Sequence, residues 1–532
     1  MDLKKNINKD IIINMKKNIF IVFIILLLII SCKQNSDNND NDDNNGNGAG
    51  YPKLAMWWPN IWEQPVSDLK RYDYIGFGEW DVEEIDKIRE IKRVNPTQKQ
   101  FMNYTITETN WDWWREDCKI SNIDKVPAEW FLTQVGSYLI EDINSTRTGI
   151  RVKSLFDKDN NPLFEKGDTL VCEYESMKLI DIDYNNNELI VQRGFVRAAS
   201  SHEKGTRIAA HITCWPKTWV MNMSTMCPKV DVGDGNGKQN WIEFAINNYK
   251  VEYENEWDGY IVDRIEHEES WLTEESARTI DPDCSNTLLN DYSNFNNKWY
   301  EGCKSLLEYL RERFKDKYII SNSFGYYYKL LNGTIFEGCP TNWENNVPES
   351  YADWGYYVLG EHGYINISKA GYSPNFSLVE TYEIEEYIER KDNPFNNPDW
   401  KPNYQRMRYG LTTALLGNGY FSYEINTNGH GGLGLMWFDE YDNSGKKRGY
   451  LGLPLKDAEK ILKAGDGWVW RREFEKGVVI CNPTNKKVTI ALDDTYYLIE
   501  GKQVPEINTG EAVNSIVLKP RDGRILLKEK NN

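Results

Sequence analysis

Basic residues are in short supply: 63 Lys and Arg stand against 81 Asp and Glu, a net charge of −18. A phosphate backbone demands a basic face, so a nucleic-acid partner is excluded, and anionic polymers are disfavoured for the same reason. Histidine is scarcer still. His202, His211, His267, His362 and His430 are the only five, and none stands in HExxH spacing. There is no GxSxG elbow, no P-loop and no GxGxxG directly following a strand. No CxxC occurs among the nine cysteines. The stretch Asp231-Val-Gly-Asp-Gly-Asn-Gly237 departs from EF-hand spacing and lacks the terminal glutamate, so it reads as a turn. No metal and no cofactor are expected. Long apolar runs are missing too: Ile19–Ile30 is only about a dozen residues, against the roughly 20 needed to span a bilayer.

That short run follows Met15-Lys16-Lys17 and ends at Ser31-Cys32. Lysines, a short apolar segment, a small residue and a cysteine resemble a bacterial lipoprotein signal. The resemblance implies cleavage before Cys32 and lipidation of its thiol. Met15 opens a complete signal by itself, so residues 1–14 read as an upstream extension. Residues 33–50, polar, acidic and glycine-containing, have nothing to bury and read as a flexible tether. Acidic residues after a lipidated cysteine are similar to a surface-export signal, which makes the expected location lipid-anchored, extracytoplasmic and at the cell surface. The other eight cysteines are candidates for disulfides or for plain buried thiols, with no pairing derivable.

From Tyr51 to Glu424 short apolar runs alternate with longer amphipathic ones. Eight of the runs centre on Leu54, Tyr74, Phe101, Ile261, Ile319, Ile335, Leu378 and Phe421. Strands alternating with helices imply βαβ units and a parallel sheet, and eight of them imply a (β/α)8 barrel, assigned here to residues 51–465. Helices are expected over Val82–Lys92, Ala128–Ile140, Asn240–Tyr253, Phe295–Phe314, Tyr351–His362 and Tyr404–Leu416. Residues 151–205 change to period-two alternation, as in Gly167–Glu175 and Glu188–Arg193, and predict an inserted β module. Glu175, Met177, Leu179, Asp183, Arg193-Gly194 and Ala198-Ala-Ser-Ser-His202 resemble a short β module that recurs in phage and secreted proteins. Residues 466–532 read as a C-terminal β-sandwich, from strands split by Asn-Pro, Asp-Asp and Arg-Asp-Gly turns.

Reacting groups of such barrels sit at the C-terminal ends of strands. Asp263 closes DGYIVD, Glu337 closes GTIFE, Glu380 closes SLVE, Glu424 closes YFSYE and Glu79 follows YIGFG. Five carboxylates on one mouth suit glycosidic-bond cleavage, which needs two carboxyl groups flanking the bond. Asp263 is expected as nucleophile or base, held ionised if Arg264 turns toward it. Glu337 is expected as general acid, its pKa raised by Ile335 and Phe336, with Glu380 as the alternate. Glu79, Glu424, Asn322, His211, Asp439 and the rings of Trp57, Trp58 and Trp437 are candidate substrate-binding residues. Twenty tryptophans and 32 tyrosines supply faces for sugar rings as well as core.

DGYIVDRI, GTIFEG, the run from Arg408 to Glu424 and Trp437-Phe-Asp-Glu-Tyr-Asp442 resemble hypothetical glycosyl hydrolase family fifteen over nearly the whole mature chain. The resemblance implies a TIM-type barrel, a C-terminal β domain and a glycosidase acting on a polysaccharide or oligosaccharide. A non-catalytic, glycan-binding surface lipoprotein on the same barrel is the alternative, and a structural envelope lipoprotein is a weaker one.

Overall fold

The computed structural model describes residues 50–111, 123–215, 217–273, 278–340, 350–383, 394–425, 434–441 and 449–530. The signal segment, Cys32, nearly all of the tether and Cys118 lie outside them.

Eight parallel strands form the central sheet: β1 Ala55–Trp57, β2 Tyr74–Phe77, β3 Lys99–Tyr104, β4 Gly259–Val262, β5 Tyr318–Asn322, β6 Thr334–Phe336, β7 Leu378–Tyr382 and β8 Tyr420–Glu424. They pair in chain order, and Leu54 bridges Phe421 in parallel, which closes the ring. All eight predicted strand centres fall on or beside these strands. Helices α1 Ile85–Val94, α2 Trp241–Asn248, α3 Tyr292–Arg313 and α4 Tyr404–Leu416 precede β3, β4, β5 and β8. The side chains of Asn240, Asp291 and Asn403 accept the first free backbone N–H groups of α2, α3 and α4. The segment predicted as one helix over Tyr351–His362 is a short helix, Tyr351–Trp354, running into a π-turn over Gly355–Leu359.

The inside of the ring is filled by Ala55, Trp57, Tyr74, Phe101, Ile261, Ile320, Ile335, Phe376, Leu378 and Tyr420. It is a packed core, as eight-stranded barrels require. Tyr74, Phe101, Phe376 and Tyr420 meet edge to face or stacked, with centroids 4.9–5.9 Å apart. Room for them depends on Gly76, where a Cβ would run into Ile261 and Trp57.

Between β3 and β4 the chain builds a six-stranded antiparallel sheet in the order Ser137–Tyr138, Arg207–Ala210, Thr169–Cys172, Glu175–Asp183, Glu188–Gln192, Gly149–Arg151. Its own apolar cluster includes Val135, Leu170, Met177, Leu189 and Ile208. The module therefore reaches beyond 151–205 at both ends. The helix expected over Ala128–Ile140 is absent. Only one 3-10 turn, Ala128–Trp130, forms there, and Thr133, Gln134, Ser137 and Leu139 pair with extended neighbours. Residues 130–137 are all buried, so hydrophobic periodicity could not separate strand from helix.

The C-terminal region is antiparallel and begins at Glu459. Its six strands are hydrogen-bonded into one sheet. The long strand Val488–Leu498 shifts register between Ala491 and Tyr496, and Val469, Val478, Ile480, Ile490, Ile516, Leu518 and Leu526 gather into one cluster. Where a sandwich of two sheets was expected, the described strands form one hydrogen-bonded sheet. The sheet is fastened to the barrel by the buried pair of Arg408 on α4 with Asp522, at 3.0 Å. Tyr51, just ahead of β1, exchanges backbone hydrogen bonds with Leu451 and Gly452, a few residues before this region.

Seven cysteines, Cys172, Cys214, Cys227, Cys284, Cys303, Cys339 and Cys481, are free thiols. Among the described residues no helix is long and apolar enough to cross a membrane.

Candidate active site

The C-terminal ends of β4 to β8 bring a row of polar side chains together. Asp263 follows β4, Asn322 ends β5, Glu337 follows β6, Glu380 and Tyr382 lie on β7, and Glu424 ends β8. Asn322 Nδ2 donates to Glu337 Oε2 at 2.6 Å and reaches Asp263 Oδ1 at 3.5 Å, so those two oxygens are no more than about 6 Å apart. The predicted pair thus shares one amide donor. The hydroxyl of Tyr382 lies 2.9 Å from Glu337 Oε1 and 3.2 Å from Glu380 Oε2. It has one proton and can donate it to one of them at a time. Asp263 and Glu337 keep partial solvent access, whereas Glu380 and Glu424 are buried. Glu424 Oε1 accepts from Ser422 Oγ at 3.3 Å.

Arg264 does not pair with Asp263 as its sequence neighbourhood suggested. Its backbone is left-handed (φ 55°), and its guanidinium donates to Glu269 and lies 3.5 Å from Glu108. Burial pushes the Glu108 carboxyl up to about 7 despite Arg264, with Asp263 and Glu269 adding to the rise. Glu266 was not singled out by the strand-end rule. It is partly exposed, and desolvation, opposed by Arg264 and reinforced by Glu269, Glu337 and Asp263, pushes its pKa up to about 8. It carries a proton at neutral pH and sits within electrostatic reach of both members of the pair. Tyr382 was also missed, although strand alternation puts residues 380 and 382 on one face.

The candidate binding residues divide. Asn322 belongs to the row. Glu79 accepts from the Tyr249 hydroxyl at 2.6 Å and the Thr105 backbone N–H at 3.0 Å, tying the ends of β2 and β3 to the chain after α2. Trp57 is wholly buried in the barrel core, so its indole supports the partly exposed Trp58, which stacks on it at 4.9 Å and touches the exposed Trp80 at 5.5 Å. One face of Trp437 is covered by the Arg71 guanidinium at 3.6 Å. Asp439 is buried and accepts from the backbone N–H groups of Lys502 and Gln503 at 2.7 and 3.0 Å, while Glu440 accepts from Asn508 at 3.0 Å. Asp439 and Glu440 therefore hold the loop between the strands Val488–Leu498 and Ala512–Leu518. His211 lies in the inserted module, stacked on Trp219.

A model of the family described as hypothetical glycosyl hydrolase family 15 matches residues 199–478. No protein of curated function matches the sequence. Among solved structures the chain is similar to the glycoside hydrolase domain of PelA from Pseudomonas aeruginosa, at 9% identity over 72% of this chain and 98% of that one, with a TM-score of 0.33. It is also similar to a family GH13_31 enzyme, at 10% identity over 90% and 99% of the two chains (TM-score 0.38). A third is the GH36 alpha-galactosidase AgaA from Geobacillus stearothermophilus, at 11% identity over 90% of this chain and 56% of that one (TM-score 0.37).

Proposed function

The chain belongs to hypothetical glycosyl hydrolase family 15, and from that premise we propose that it cleaves an extracellular polysaccharide with Asp263 and Glu337. The observation that carries this reading is the amide of Asn322 held between the two carboxyl groups at the barrel mouth. Glu337 is the acid. Its Oε1 edge accepts from the Tyr382 hydroxyl at 2.9 Å, which holds the carboxyl in place beside Asp263. Glu337 then protonates the departing glycosidic oxygen while Asp263 attacks the anomeric carbon. Glu337, now ionised, takes a proton from the water that releases the sugar from Asp263. Glu380 is linked to Glu337 through the Tyr382 hydroxyl.

A separation under about 6 Å between the facing oxygens suits the retaining geometry, roughly 5–5.5 Å, better than the 6.5–9.5 Å that leaves room for a water in inverting enzymes. The product is therefore expected to keep the anomeric configuration of the substrate. Proton NMR of the first sugar released from a hydrolysed polysaccharide checks this, and the opposite anomer at early times refutes a nucleophilic Asp263.

We further propose that Cys32 is the lipidated first residue of the mature chain. Two acyl chains, at roughly 0.8 kcal/mol per buried methylene, anchor stably where one does not. A fatty-acid probe should label the wild type and leave Cys32→Ser unlabelled and released from the membrane fraction. Equal labelling of both refutes the assignment.

A further inference from the structure

Where the inserted module meets the chain around Leu272 and Arg278, a half-open pocket of about 330 Å³ forms, lined by none of the strand-end carboxylates. Its size falls at the lower end of ligand pockets, roughly 300–1,000 Å³. His211 and Gln134 form part of its wall and are only 5% and 7% exposed. Among the described residues neither ring nitrogen of His211 has a hydrogen-bond partner, and neither does Gln134 Oε1. Buried polar groups are normally satisfied, because leaving them unpaired costs stability. The His211 ring cannot turn away. It is stacked on Trp219 at 4.2 Å and met edge-on by Phe131 at 4.6 Å, and its backbone N–H donates to Thr169. Burial, with the charges of Arg197 and Arg207, lowers its pKa well below the usual value, so the imidazole is neutral and offers one donor and one acceptor.

We propose that this cavity is a second carbohydrate subsite, holding an uncharged sugar residue whose hydroxyls pair with His211 and Gln134. A hydroxyl both donates and accepts, and so satisfies an imidazole N–H, an imidazole lone pair and an amide oxygen alike. The charged groups on the wall neutralise one another. Arg278 holds Asp168 at 2.6 and 3.2 Å, and the Lys178 ammonium is committed to the Gly167 carbonyl. An anionic sugar finds no free cation there among the described residues. Trp111, partly exposed on the same wall, supplies an aromatic face. Thr213 on the wall is followed by Cys214, which lies against Arg264, the residue after Asp263. The inference stands whether or not Asp263 and Glu337 carry out the cleavage.

Affinity electrophoresis tests it. The full chain carrying Glu337→Gln, so that polymer is not consumed, is run through gels containing barley β-glucan, xyloglucan, galactomannan or polygalacturonate. At least one neutral polymer should retard it and polygalacturonate should not. In the same background His211→Leu and Gln134→Leu should weaken the retardation about tenfold without lowering the melting temperature, because each removes an unpaired buried group. Trp111→Ala, at a partly exposed position, should weaken it as well and serves if either leucine variant misfolds. No retardation in any gel overturns the proposal, as does retardation by polygalacturonate alone or retardation equal in all three variants.

Discussion

Glu337→Gln is expected to lower the turnover of a cleaved polysaccharide by about 10²–10⁴-fold, the contribution usual for a positioned acid. Asp263→Asn should cost at least as much. Both replacements keep shape and hydrogen-bonding reach, so binding should change little, and initial rates of reducing-end release separate the two effects. The size of the loss follows from the site. A single amide nitrogen faces both carboxyl groups, and one phenol proton is shared between Glu337 and Glu380. The side-chain amide introduced by Glu337→Gln can neither release a proton nor recover one. Full activity in either variant removes that residue from the mechanism. Glu266, which keeps a proton up to about pH 8, is then the acid to examine next. A wild type that binds and never cleaves favours the glycan-binding alternative.

Arg193→Ala should destabilise the inserted module by about 3–5 kcal/mol, the range for breaking one partner out of a buried ion pair. The Glu175 side chain is fully buried and accepts from Arg193 Nε and Nη2 at 2.7 and 2.6 Å, from His202 at 2.8 Å, and from the backbone N–H groups of Gly194 and Ser200. The remaining guanidinium hydrogens go to the carbonyls of Asn144, Arg147 and Ser200, so all five N–H groups are used. Lysine cannot reproduce that fork, and Arg193→Lys should recover only part of the loss. Burial alone would raise the Glu175 pKa, but Arg193, His202 and Ser200 overcome it and hold the carboxyl down at about 2. Its stabilising effect is therefore complete above its unfolded pKa of 4.5 and is lost as pH falls toward 2. His202 works in the opposite sense. Burial lowers its pKa, Glu175 and Glu173 more than restore it, and the net raised value means that its contribution is present below 6.5 and fades as pH rises past the folded pKa. Denaturant unfolding at several pH values, followed at the module, measures both. An unchanged midpoint for Arg193→Ala would show that the pair contributes nothing.

The barrel was legible because βα alternation is a repeated signal, and eight repeats outweigh an error in any one. Asp263, Glu337, Glu380 and Glu424 followed from the same logic, since each ends an apolar run. What the alternation does not encode is pairing across strands. That Arg264 serves Glu269 and Glu108 depends on a left-handed residue and on the loop from 265 to 269. Glu266 lies on that loop, beyond the strand end. Asp439 was expected to bind substrate, but its partners, the backbone of Lys502 and Gln503, are more than 60 residues away in the loop between two strands of the C-terminal sheet. The module motif was recognised by its resemblance to a recurring β module. Its meaning, a glutamate caged by an arginine and a histidine, needed the strands in register.

The bonds between Tyr51 and the Leu451–Gly452 turn fix where the chain enters the folded body. That point lies just before β1, at the ends of the barrel strands opposite to Asp263 and Glu337. The described chain thus enters the barrel on the side away from the candidate site. Extensions added ahead of Tyr51 would therefore leave the row of strand-end carboxylates unobstructed.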